Sequence, residues 1–144
     1  MFTVKQLLKS KHGDVWTVAP EDTAYKALEM LADKDVGALM VVKDDKVVGI
    51  FSERDYARKV ILKGKSSKNT PVSEIMTAKV CYVHLSNTME ECMALMTDKR
   101  ARHLPVIEGG RLIGIVSIGD VVKQIVDEKE FTIKQLENYI SGGL

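Results

Sequence analysis

A seven-residue pattern occurs twice in this chain: glycine, two apolar residues, serine, two variable positions and aspartate. It stands as Gly49-Ile-Phe-Ser-Glu-Arg-Asp55 and as Gly114-Ile-Val-Ser-Ile-Gly-Asp120. An apolar run ending in Ser-x-x-Asp reads as a strand passing into a helix, with Ser at the N-cap and the carboxylate closing a capping box. The same geometry suits a ligand. A helix start presents unpaired N–H groups and a positive dipole end, both favourable to phosphate, and the Ser hydroxyl can join them. A carboxylate in the first turn can accept hydrogen bonds from both hydroxyls of a ribose, as the acidic residue of dinucleotide-binding folds does. Either reading accounts for one copy of the pattern; two copies in register point to a nucleotide. The turns differ. Beside Ile118, Gly119 has no side chain and lets a ligand come close. Arg54 instead places a cationic fork at its helix start. The Asp120 site is therefore expected to be the better shaped of the two.

Behind the motifs lies a longer repeat. Shifted by 65 residues, the chain falls on itself: Val15–Val18 on Val80–Val83, Thr23 on Thr88, Asp33-Lys34 on Asp98-Lys99, Leu39 on Leu104 and Asp55 on Asp120. In each copy a short apolar run precedes a helical stripe, Ala24, Ala27, Leu28, Leu31 or Met89, Cys92, Met93, Met96, spaced i, i+3, i+4, i+7. Strands at Leu39–Val42 and Val47–Phe51, and at Leu104–Ile107 and Leu112–Val116, flank tight hairpin turns. A second helix begins after Ser52 or Ser117. The fold class is thus α+β with mixed sheets, two β-α-β-β-α repeats packed as an intramolecular pseudo-twofold pair. A unit of roughly 50–60 residues is marginal alone, so the two must share surface. The expected division is residues 1–65 with a lead-in helix at Val4–Lys9, residues 66–130 with a lead-in at Val72–Met76, and a C-terminal helix over 131–144. That last helix is expected to start after Thr132 and to end near Gly142-Gly143. Phe2-Thr-Val-Lys-Gln-Leu7 and Phe131-Thr-Ile-Lys-Gln-Leu136 nearly match, and both read as Thr-capped starts.

Other residues carry less. His12, His84 and His103 lack ligand spacing for a metal. Cys81 in a strand and Cys92 on an apolar stripe read as core, and two cysteines in 144 residues fit a reducing cytoplasm. Trp16 suits a stacked base and core filling equally. Lys59, Lys63, Lys65 and Lys68 read as a solvated loop. No Ser-His-Asp or Cys-His set is arranged for catalysis. A net charge of +1 argues against nucleic acid. The longest stretch free of Asp, Glu, Lys and Arg, Val80–Met89, is too short to span a membrane, and the N-terminus does not read as a signal peptide.

With Pro71-Val-Ser-Glu-Ile-Met-Thr77 and Arg102-His-Leu-Pro-Val106 added to the motifs and repeats, the chain resembles a tandem pair of CBS domains, the module named after cystathionine β-synthase. Ser52-Glu-Arg-Asp-Tyr56 resembles the bacterial stand-alone members. The resemblance implies an adenosine-containing ligand, AMP, ADP, ATP, NAD or S-adenosylmethionine, in clefts between the modules, with no metal required. It implies that Asp55 and Asp120 hold ribose hydroxyls and that Ser52 and Ser117 lie near phosphate or ribose. The adenine would rest on Thr17, Val18, Tyr82 and Val83 and on Gly37, Ala38, Met40, Arg102, His103 and Pro105. In the gamma subunit of AMP-activated kinase, a member of that family, basic residues before the Leu-Pro-Val strand reach phosphates. These map onto Arg102 and His103, whereas the first copy has Gly37-Ala38. The expected function is a non-catalytic regulatory module, cytoplasmic, homodimeric through apolar helical faces including the Met stripe, and read by an unidentified regulated protein. The alternatives are a structural dimerisation module with vestigial sites and a nucleotide hydrolase.

Overall fold

The computed structural model describes residues 1–11 and 15–141. His12 and the expected helix end at Gly142-Gly143 lie outside these residues. The first copy contains α1 (Val4–Ser10), β1 (Thr17–Val18), α2 (Ala24–Lys34), β2 (Ala38–Lys43), β3 (Lys46–Ser52) and α3 (Glu53–Tyr56), which runs on as a π-helical segment, Ala57–Ile61. The second contains α4 (Val72–Ile75), α5 (Met89–Lys99), β4 (His103–Glu108), β5 (Arg111–Ser117) and α6 (Ile118–Ile140).

In the first copy β1 lies parallel to β2, and β2 lies antiparallel to β3. The second copy keeps the antiparallel pair β4–β5, but its expected first strand shrinks to one bridge, Val83 opposite Val106. The cause is Pro105. In the first copy Thr17 pairs with Met40; the matching position is proline, which has no N–H for the second rung. The Val83 N–H donates to the Pro105 carbonyl, and the Val83 carbonyl accepts from Ile107. Both hairpins turn through two residues at positive φ, Asp44 and Asp45 in one and Gly109 and Gly110 in the other. That is the primed turn matched to strand twist.

The expected separate C-terminal helix does not exist as such. α6 runs unbroken from Ile118 to Ile140, and Thr132 sits in its middle with its hydroxyl bonded to the Glu128 carbonyl. Thr132 therefore caps nothing, while Thr3, in the matching hexapeptide, does cap α1 in a capping box with Gln6. Met89, Cys92 and Met96 of the Met stripe are buried in the second core, the packing that the stripe's helical spacing favours over a dimer face. Burial pushes the Cys92 thiol up to about 11, helped by Glu91 and Glu90; such a thiol is inert.

Each copy has its own core, and the two lead-in helices are exchanged between them. Val4 and Leu7 of α1 pack with Val83, Leu104, Val106 and Val116 of the second copy. Val72 and Ile75 of α4 pack with Leu39, Val41 and Phe51 of the first. The backbone ties the crossing down. The Val4 N–H donates to Asn87 and the Met89 N–H to Phe2; on the other side Ala24 donates to Thr70 and Val72 to Asp22. The motif glycines mark where the exchanged segments cross. A Cβ on Gly49 would lie 2.5 Å from the Met76 sulfur, and one on Gly114 would lie 2.8 Å from Leu8.

Candidate functional site

Both motif aspartates close capping boxes. Ser52 N–H donates to Asp55 Oδ2 (3.0 Å), and the Asp55 N–H donates back to Ser52 Oγ (3.1 Å). Ser117 and Asp120 repeat this at 3.1 Å and 3.1 Å. The cap occupies one carboxylate oxygen and leaves the other, so the capping and ligand readings of the motif are compatible. The second oxygens differ. Asp55 Oδ1 accepts from Thr77 Oγ1 (3.3 Å) and pairs with Lys59 (3.1 Å). Lys59 thus pairs with the motif carboxylate from the π-helical segment and does not stand in a loop. At Asp120 the cation shares the cap oxygen: Lys11 Nζ lies 2.8 Å from Oδ2 and donates also to the Ile115 carbonyl. Asp120 Oδ1 has no hydrogen-bond partner among the described residues. Burial alone would raise the Asp120 carboxyl, but the Lys11 and Ser117 hydrogen bonds outweigh it and hold the group below the usual carboxylate range.

Each aspartate faces a cleft between the copies. The Asp120 cleft, about 540 Å³, is closed on its far side by Trp16, Lys34, Gly37 and Ala38 of the first copy. The Asp55 cleft, about 490 Å³, is closed by Cys81, Lys99, Arg100 and Arg102 of the second. Trp16, Lys34 and Gly37 match Cys81, Lys99 and Arg102 under the 65-residue shift. Each cleft is large enough for a small organic ligand. Arg102 therefore lines the cleft that holds the other module's carboxylate. His103 lines both clefts; burial lowers its imidazole below the usual range, Lys11 and Arg102 lower it further, and Asp120 opposes them.

Of the residues singled out in the sequence, Gly37, Ala38, His103, Ser117 and Asp120 meet in one cleft, and Gly37, Ser52, Arg54, Asp55, Arg102 and His103 in the other. The remainder lie elsewhere. Val18, Met40 and Val83 are buried core residues. Tyr82 and Pro105 line a separate hollow of about 310 Å³. Thr17, Ile118 and Gly119 line neither cleft. Trp16 packs on the first core and also lines the Asp120 cleft, with Lys34 Nζ 4.3 Å from its ring centroid. Cys81 is not in a strand; half-buried, it packs against the second core and lines the wall of the Asp55 cleft. Sequence reasoning missed Lys11, Lys34, Lys79, Lys99 and Arg100. The Lys34/Lys99 repeat was a signal for two of them. Among the described residues no three His, Cys, Asp or Glu side chains converge as a metal group would, and no helix is long and apolar enough to cross a membrane.

The family model described as CBS domain matches residues 4–62 and 72–127. The chain is 42% identical to the CBS domain-containing protein CBSX3, mitochondrial, of Arabidopsis thaliana, over 98% of this chain and 73% of that one. It is similar to a solved CBS-domain protein from Burkholderia ambifaria, at 54% identity and a TM-score of 0.83, covering 87% of this chain and 94% of that one. The CBS domain pair of protein MJ0100, solved in complex with 5′-methylthioadenosine and S-adenosyl-L-methionine, shares the fold at 22% identity and a TM-score of 0.78, over 89% and 98% of the two chains.

Proposed function

This chain belongs to the CBS domain family, as two modules in tandem, and from that premise we propose that it is a non-catalytic regulatory module taking adenosine-containing ligands in its two inter-module clefts. The modules divide as 1–65 and 66–130. One observation carries the reading: two Ser-capped aspartates, equivalent under the repeat, each stand at a cleft walled by the other module. A ligand there touches both modules at once, so occupancy biases their relative arrangement, and a regulated partner reads that bias. AMP, ADP, ATP, NAD and S-adenosylmethionine are the candidate ligands, and the adenosine-bearing ligands of the MJ0100 pair support the class.

A ligand at about 100 times its dissociation constant adds ~2.7 kcal/mol of stability, so at least one of the five should raise the melting temperature. Free phosphate and uridine nucleotides should not do so comparably. Losing a hydrogen bond to a charged group costs ~1.5–3 kcal/mol, so Asp55→Ala and Asp120→Ala should each weaken its own cleft by ~tenfold or more. Unchanged melting with all five ligands at saturating concentration would leave a structural module with vestigial sites.

The same module is proposed to be a homodimer. Val122, Val126, Ile133, Leu136 and Ile140 are exposed on α6. Their spacing of four, seven, three and four residues keeps them in one seam, the pattern of paired helices. Light scattering is expected to give twice the 16.0 kDa chain mass; a monomer at tens of micromolar would contradict it.

A further inference from the structure

The pseudo-twofold relation lets the clefts be compared residue by residue, and their charges do not match. Two cations are common to both. Lys34 and Lys99 correspond under the shift of 65. Lys11 and Lys79 correspond once the lead-ins are aligned, Val4 on Val72 and Leu7 on Ile75. The other differences add cations to the Asp55 cleft. Arg54 stands where the second copy has Gly119, Arg102 where the first has Gly37, and Arg100 where the first has Asp35. Glu53, matching Ile118, is the one added carboxylate. Moreover, Arg54, Lys79, Arg100 and Arg102 make no salt bridge among the described residues, so their charge is available to a ligand. In the Asp120 cleft Lys11 is already paired with Asp120, and Lys34 lies over the Trp16 ring.

We propose that the two clefts divide their ligands by phosphate number: the Asp55 cleft selects a nucleoside di- or triphosphate, and the Asp120 cleft a nucleoside with one phosphate or none. This rests on the adenosine-binding reading above. Arginine forks suit phosphate oxygens, and each further phosphate adds negative charge facing the same group of cations. In the other cleft the open Asp120 Oδ1 serves the ribose and Trp16 adds apolar surface for the base, groups that every such ligand carries.

The test is calorimetric titration of Asp120→Ala, in which only the Asp55 cleft keeps its carboxylate, with adenosine, AMP and ATP in the presence of EDTA. ATP is expected to bind at least ~tenfold more tightly than adenosine at low salt, and the gap to narrow as salt is added. Adding Arg54→Ala and Arg102→Ala, both exposed, should shrink the ATP preference by at least ~threefold. In Asp55→Ala, adenosine and ATP should bind within ~threefold of each other, until Gly37→Arg creates an ATP preference; a Cβ at Gly37 meets nothing within 4 Å. Melting curves establish that each variant is folded. Equal affinity for adenosine and ATP in Asp120→Ala, no binding there at all, or a preference unaffected by loss of both arginines overturns the division while leaving adenosine binding by the unsubstituted chain intact. If none of the three ligands binds the unsubstituted chain, the adenosine reading falls and the division with it.

Discussion

Leu7→Ala is expected to cost about 2–5 kcal/mol and to loosen the second module, although the side chain belongs to the first ten residues of the chain. Leu7 is 3% exposed and packs in the core built by Val83, Met89, Leu104 and Val116. A helix of seven residues such as α1 does not persist by itself; its packing holds it, and the core in turn depends on it to exclude water. Native-state hydrogen exchange reads the direction of the effect. Amides of β4 and β5 should lose protection before those of β2 and β3, and Ile75→Ala, the equivalent change in α4, should reverse the order. Loss of protection in β2 and β3 first on Leu7→Ala would mean that the lead-ins are not exchanged in solution.

Gly49→Val is expected to destabilise by ~3 kcal/mol, the upper end of overpacking. The first carbon of any side chain there would lie 2.5 Å from the Met76 sulfur, 2.9 Å from Met76 Cγ and 3.0 Å from the Thr77 carbonyl oxygen. A thioether swings aside at small cost. The carbonyl does not, because Ile50 and Thr77 donate N–H groups to each other's carbonyls at 2.9 Å. Gly114→Ala should cost less, since only the side chain of Leu8 stands in the way. Chemical denaturation gives both values. A double-mutant cycle gives the cause: Met76→Ala should cost less in Gly49→Ala than in the unsubstituted chain. Strict additivity would show that the Met76 contact is not the source. Because Thr77 also donates to Asp55, Gly49→Val should weaken ligand binding in the Asp55 cleft while sparing the Asp120 cleft.

Much of the architecture was legible in the residues because its causes are local. The stripes Ala24-Ala27-Leu31 and Met89-Cys92-Met96 bury the faces that their spacing defines. Asp44-Asp45 and Gly109-Gly110 tolerate positive φ and turn the hairpins where the apolar runs break. Ser52 and Ser117 cap the helices that carry the two carboxylates. The errors are local too. Thr132 carries the signature of a cap, but the backbone before it is already helical, and nothing between Ile118 and Ile140 interrupts the turns. Pro105 removed a strand rung that the matching Met40 keeps.

Sequence by itself therefore determined the repeat, the order of elements, the capped carboxylates and the family resemblance, all of which depend on neighbours a few residues away or on equality between the copies. Tertiary structure decided the rest. Nothing in Val4 and Leu7, or in Val72 and Ile75, says which of two similar apolar cores will accept them; backbone bonds such as Val4 to Asn87 and Val72 to Asp22 hold the exchanged arrangement, and Gly49 and Gly114 leave room for it. The same exchange brings Lys11 onto Asp120 and Thr77 onto Asp55. The pairing of the modules turns Arg102 away from its own Asp120 and into the cleft of Asp55. A charge pattern spread over two repeats becomes two distinct sites only when the copies face each other, because electrostatic attraction depends on distance through space and not along the chain.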